Sequence, residues 1–183
     1  MYFVGKILMR YIALLRGINV GGNTMIKMAE LKAVFERLGF ENVVTYINSG
    51  NIGFDAKKTA EEKLVAKIEN AILTDFEKTV PVMIRERDVI NGILLDNPYD
   101  GQFESHKEMH VLFLREEMPP EKIAQLLEAA PTGERYAVIG REIYCHLPMG
   151  VADSILGKSF IEKKLKLAVT GRNWRTVEKL STL

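Results

Sequence analysis

The order strand, helix, strand, strand, helix, strand can be read twice along this chain. It predicts an α+β fold of two ferredoxin-like βαββαβ plaits joined in one chain, plus a C-terminal helix. Three observations carry that prediction. The apolar run at 10–15 empties into R-G-I-N-V-G-G-N, as a buried strand entering a loop would. Asn48-Ser49-Gly50-Asn51 sits between two strand-like runs and is the strongest hairpin signal in the sequence. A second pair of strand-like runs, at 135–139 and 142–147, flanks Gly140-Arg141.

The first plait starts with the strand at 10–15. After its loop, Leu31, Val34, Phe35 and Leu38 fall at helical spacing, and Gly39 supplies a C-terminal stop. Strands at 43–47 and 52–54 form the hairpin. Thr59 and Glu62 read as a capping box for a helix burying Leu64, Ile68, Ala71 and Ile72. A strand at 80–85 contains Pro81, which places it at a sheet edge or starts it at the proline. Asp88 then caps a short helix bearing Ile90, Ile93 and Leu94, and Asn97-Pro98 with Asp100-Gly101 marks a loop.

The second plait opens with a strand at 109–114. Pro119-Pro120 starts a helix with Ile123, Leu126 and Leu127 inward. After the 135–147 hairpin come a helix over about 159–167 and a short apolar run at 167–169. Asn173 is a good N-cap for a final helix burying Trp174, Val177 and Leu180. The expected organisation is therefore 9–86 as the first unit, 87–106 as a connecting helix and loop, and 107–183 as the second unit with the C-terminal helix.

Length and composition narrow the function. A chain of 183 residues can bury roughly 70% of its unfolded surface. The net charge of +1 removes any composition-level argument for a nucleic-acid partner. Charge is uneven, however: residues 157–183 carry +5. A single cysteine, Cys145, excludes an internal disulfide and suits a reducing, cytoplasmic setting. Lys6 and Arg10 interrupt the apolar N-terminal residues, which argues against a signal sequence, and Met9 is an alternative start. No run approaches the ~18 apolar residues of a membrane span, so no membrane partner is expected.

Three stretches together resemble a known family: A-L-L-R-G-I-N-V-G-G-N at 13–23, T-Y-I-N-S-G-N-I-G-F at 45–54 and T-G-R-N-W-R-T-V at 170–177. D-N-P-Y at 96–99, H-V-L-F-L at 110–114 and H-L-P-M-G at 146–150 support them. The chain resembles the bacterial domain-of-unknown-function family numbered 1697, from about Met9 onward. The resemblance implies paired ferredoxin-like units and implies no activity. Asn48 stands where that family usually has glutamine, and Gly171 and Arg175 depart from its T-x-R-N-W-N-T pattern.

Candidate chemistry gathers at three places. Arg16, Gly17, Asn19, Gly21, Gly22 and Asn23 form a loop in which arginine can grip a phosphate or carboxylate while glycines let the backbone approach. The spacing is neither a Walker A loop nor a dinucleotide fingerprint, and the same glycines suit simple loop geometry. Asn48, Ser49 and Asn51 are more polar than a turn needs, although they are also ordinary turn residues. Arg172 and Asn173, with Lys158 nearby in sequence, form the third cluster. Arginine just ahead of a helix N-terminus calls for a carboxylate or ligand partner. Whether the first two places meet in space is open at the level of sequence.

Other chemistries have weaker support. His106, His110 and His146 lack paired metal-ligand spacing, and neighbours Cys145 and His146 face opposite sides of a strand, so no metal or cofactor is expected. No strand carries the aromatic pattern of an RNA-binding plait; Tyr46 and Phe54 come nearest. The leading expectation is a protein that binds a small anionic ligand, a nucleotide or phosphorylated metabolite, with no reaction specified. The alternatives are an RNA- or DNA-binding module using the basic C-terminal surface, and a protein-interaction scaffold.

Overall fold

The structure is a computed structural model describing residues 7–22, 24–157 and 159–183. It is an α+β protein with two four-stranded antiparallel sheets and, among the described residues, six helices. The chain divides into two units. One runs to Ile90 and takes in Leu180–Leu183, and the other spans Asn91–Lys179.

In the first unit the elements are β1 (Leu8–Leu15), α1 (Met28–Arg37), β2 (Glu41–Tyr46), β3 (Asn51–Lys57), α2 (Glu61–Phe76) and β4 (Val82–Glu86), followed by the start of α3 (Arg87–Leu95). The sheet order is β2-β3-β1-β4. Alternation along the strands selects one face for the helices. Tyr11, Ala13 and Leu15 of β1 join Ile52, Phe54 and Ala56 of β3 and Val82 and Ile84 of β4 in one core with Leu31, Phe35, Leu64, Ile68 and Ile72. Register follows from this pattern: Tyr11 lies opposite Phe54 on one side and opposite Glu86 on the other. A bulge between Glu41 and Val44 puts Asn42 at φ 49°.

β4 starts directly after Pro81 and lies at the sheet edge. Its outward amide is not left bare, because Val82 N–H donates to Glu69 Oε1 of α2 at 2.9 Å. The capping box is not formed. Helix α2 begins one residue later, with Ala60 at the cap, and Thr59 Oγ1 instead donates to the Lys57 carbonyl at 2.7 Å. Likewise α3 starts at Arg87 directly after β4, so Asp88 sits in its first turn and does not cap it.

The second unit contains β5 (Met109–Leu114), α4 (Pro120–Ala129), β6 (Arg135–Ile139), β7 (Glu142–His146), α5 (Phe160–Lys163), β8 (Val169–Asn173) and α6 (Trp174–Leu180), with sheet order β6-β7-β5-β8. Leu126, Ile143, Cys145, Leu147, Ile161 and Leu165 form its core. Leu127 is exposed, because only one face of α4 meets the sheet. α5 is a single turn, since Ser159 and Lys166 both take left-handed backbone and cut the helical pattern short at each end. The last strand runs four residues past the apolar stretch, through Thr170–Asn173, where it pairs with Phe113, Leu112, Val111 and His110 of β5.

Candidate functional site

The loop after β1 is held by its polar residues. Asn19, at φ 55°, uses its side-chain amide on both sides: Oδ1 accepts from Ile26 N–H at 2.8 Å, and Nδ2 donates to the carbonyls of Ile26 at 2.9 Å and Asn48 at 2.8 Å. The loop and the β2–β3 turn therefore meet. A main-chain bond from Leu15 N–H to the Gly50 carbonyl, 2.8 Å, joins them a second time. Asn51 is fully buried, and its Nδ2 donates to the Tyr46 carbonyl and to Ser49 Oγ. Asn19 thus braces the loop against the turn, Ser49 and Asn51 hold the turn itself, and Asn48 contributes its main-chain carbonyl.

Arg16 and the glycines make up the rest of the loop. Arg16 is half-buried at the end of β1, with its backbone N–H on the Pro81 carbonyl at 2.9 Å. Gly17, Gly21 and Gly22 are exposed, with φ of 69°, 62° and 76°. Among the described residues no backbone hydrogen bond engages their amides. Asn23 and Lys158, both candidates from sequence, lie outside the described residues.

Arg172 and Asn173 belong to the second unit, and Arg172 is not in a loop ahead of a helix. It is a strand residue of β8, buried, with Nη1 donating to Thr170 Oγ1 at 2.8 Å and to the Gly171 carbonyl at 2.7 Å. Burial lowers its pKa to about 10, so it keeps its charge at neutral pH. Asn173 does cap α6: its Oδ1 accepts the Thr176 N–H at 2.9 Å. Trp174, Val177 and Leu180 are buried, so the tryptophan is a core residue. Phe54 is likewise inside, packed on Tyr11, Phe35 and Phe40, and offers no stacking platform for a base. Cys145 is fully buried, which pushes its thiol pKa up and leaves it a neutral, apolar group.

A cluster in the second unit went unrecognised in sequence, although D-N-P-Y and H-L-P-M-G contain two of its members. The Arg135 guanidinium lies 4.7 Å from the centre of the Tyr99 ring, donates to Gln102 Oε1 at 2.7 Å and bonds His146 Nδ1 through Nε at 3.3 Å. Because Nδ1 accepts, the neutral imidazole carries its proton on Nε2. That atom is buried 3.9 Å from Glu108 Oε2 and has no hydrogen-bond partner among the described residues. Burial, then the Arg135 charge, lowers the His146 pKa, while Glu108 pulls it upward. Burial also lowers that of His110, whose Nδ1 is likewise unpartnered among the described residues.

A pH dependence follows. With a folded pKa below the unfolded value of about 6.5, the unfolded chain binds more protons in acid. The stability these two rings permit is complete above about pH 6.5 and falls as pH drops toward their folded pKa values. Urea denaturation at pH 7.5 and 5.5 should give a lower midpoint in acid, and a His110→Gln, His146→Gln variant should flatten that slope. An unchanged slope in the variant would assign the acid sensitivity to other groups.

Among the described residues no three His, Cys, Asp or Glu side chains gather in a way that could hold a metal ion. Nor is any helix of the described residues long and apolar enough to cross a membrane.

The two sheets, with helices following the first and third strands of each, define an α+β protein whose polar loops occupy strand ends. The chain belongs to the family described as protein of unknown function (DUF1697), whose model matches residues 8–144. No curated protein matches it. Among solved structures it is similar to conserved bacterial protein SP0830 from Streptococcus pneumoniae. The identity is 24%, the TM-score 0.77, and the match covers 96% of this chain and 98% of the other. At that identity the likeness concerns the fold.

Proposed function

We propose that the protein binds a small anion, a nucleotide or another phosphorylated metabolite, on the loop that follows β1. The observation that carries this reading is that Arg16 directly precedes a run with three exposed, left-handed glycines on a loop that Asn19 braces. A guanidinium beside left-handed backbone whose N–H groups face solvent is the arrangement that anion-binding loops use. Pre-organisation matters, because a floppy loop would lose binding energy to ordering. The same reading takes each unit as a ferredoxin-like plait, supported by the sheet orders β2-β3-β1-β4 and β6-β7-β5-β8. It also places the protein in a bacterial cytoplasm, supported by the lone, buried thiol and the bacterial neighbour.

The test is a titration with inorganic phosphate, pyrophosphate and AMP, followed by ¹H–¹⁵N spectra. Shifts at Gly17, Gly21 and Gly22 are expected, and Arg16→Ala should weaken binding about tenfold or more, the scale of one charge-assisted hydrogen bond. Arg16→Lys should retain part of the affinity. If none of the three probes moves these resonances, the reading is wrong. Nucleic-acid binding would instead show a steep salt dependence, with a logarithmic slope of about −0.7 to −0.9 per phosphate contact. It would also respond to charge reversal at the exposed Lys163, Lys164 and Lys166.

A further inference from the structure

We infer that the first unit carries a second, separate site: a polar cleft that takes a small amphoteric molecule bearing both a carboxylate and an ammonium group, as a free amino acid does. The cleft lies at the end of the sheet where β1 begins, away from the Arg16 loop at the end of that strand. Its volume is about 590 Å³, within the range of small-molecule sites. Residues from all four strands of the sheet line it.

Its floor is built. Arg10 and Asp55 are cross-strand partners, with side chains only 15% and 19% exposed, joined at 3.1 Å. Arg10 Nε donates to a terminal carboxylate oxygen of Leu183 at 2.9 Å, and Nη1 to the Asn42 carbonyl at 2.8 Å. Asn42 Nδ2 in turn donates to the other Asp55 oxygen at 2.7 Å. Both carboxylate oxygens are therefore occupied, and the guanidinium is locked. Arg10 Nη2 alone carries no hydrogen bond among the described residues. Space for it comes from Gly53, where a Cβ would lie 2.7 Å from Nη2 and 3.0 Å from Leu183 Cβ. An oriented guanidinium edge with unused donors is what a carboxylate recognises.

The rim supplies the other sign. Glu86, Arg87 and Asp88 line the cleft, and their side chains make no ion pair or hydrogen bond among the described residues. Counting Arg10 and Asp55, the side chains of the cleft supply three carboxylates against two guanidinium groups, and the terminal carboxylate of Leu183 adds a fourth negative charge. This net negative charge disfavours a simple anion and so separates this site from the Arg16 loop. A molecule with both charges can satisfy Arg10 and the rim carboxylates together, and in a recess each such contact is worth more than on open surface.

The experiment uses the full chain, with L-leucine and L-lysine as probes beside N-acetyl-leucine and leucinamide, followed by ¹H–¹⁵N spectra. The free amino acids should shift resonances of Arg10, Asn42, Asp55 and Asp88. Capping either end should weaken binding about tenfold or more. Asp88→Asn, on an exposed helix turn, should weaken it with an unchanged melting midpoint, whereas Gly53→Ala should abolish it by displacing the Arg10 edge. Shifts of equal size with the capped forms, or none with any probe, would overturn the assignment. Arg16→Ala should leave this binding untouched.

Discussion

Phe54→Ala should destabilise the first unit by about 3–5 kcal/mol, the cost of emptying a large aromatic site. Phe54 is fully buried on β3, with ring centres of Tyr11, Phe35 and Phe40 at 5.7, 5.4 and 4.4 Å. It is the common member of these contacts, linking β1, α1 and the segment entering β2. Aromatic pairs add about 0.5–1.5 kcal/mol each beyond the area they bury, so removal of the shared ring loses several at once. Urea denaturation followed by circular dichroism would measure the loss, and hydrogen exchange at β1 and β3 amides would localise it. Phe54→Leu keeps most of the volume and should cost less than the alanine variant. A loss below about 1 kcal/mol for alanine would mean that the cluster can close over the cavity.

Gly50→Ala should cost about 2–5 kcal/mol and disturb the candidate anion loop. Two effects combine. Gly50 has φ 77°, and left-handed backbone costs a non-glycine residue roughly 1–2 kcal/mol. A Cβ there would also lie 2.6 Å from Leu15 Cβ and 3.0 Å from Ile18 Cδ1, both in a packed core, and such overpacking costs about 1–3 kcal/mol. Gly21→Ala separates the two terms. Its φ is 62°, but a Cβ there meets nothing within 4 Å, so only the backbone term applies. Equal destabilisation by the two variants would show that the close approach at Gly50 relaxes without cost. The backbone of the β2–β3 turn also accepts the Leu15 N–H, so a displaced Gly50 should shift loop resonances from 16 to 22.

Much of the architecture was legible because it rests on local signals. The apolar run of β1, the hairpin around Gly50 and the final helix with its Asn173 cap each declare themselves within a few residues, through periodicity or turn chemistry. Boundaries were less legible. Thr170–Asn173 looks polar and loop-like, yet it is β8, because pairing with β5 satisfies its backbone whatever its side chains are. Thr59 has the spacing of a cap but spends its hydroxyl on Lys57, one turn geometry displacing another.

The candidate sites divide along the same line. Sequence alone determined that arginine, glycine and asparagine gather where β1 ends, since those residues are neighbours in the chain. Only the tertiary structure decided that Asn19 binds across to Asn48 and is thereby a brace, and that Gly17, Gly21 and Gly22 are the exposed part of the loop. Arg10 with Asp55, and Arg135 with His146, are 45 and 11 residues apart, and no spacing rule connects them. Their pairing is set by strand register, which depends on which faces the helices bury. The charge that opens the loop after β1 could be found by reading; the charges that line the cleft at its other end had to be folded together first.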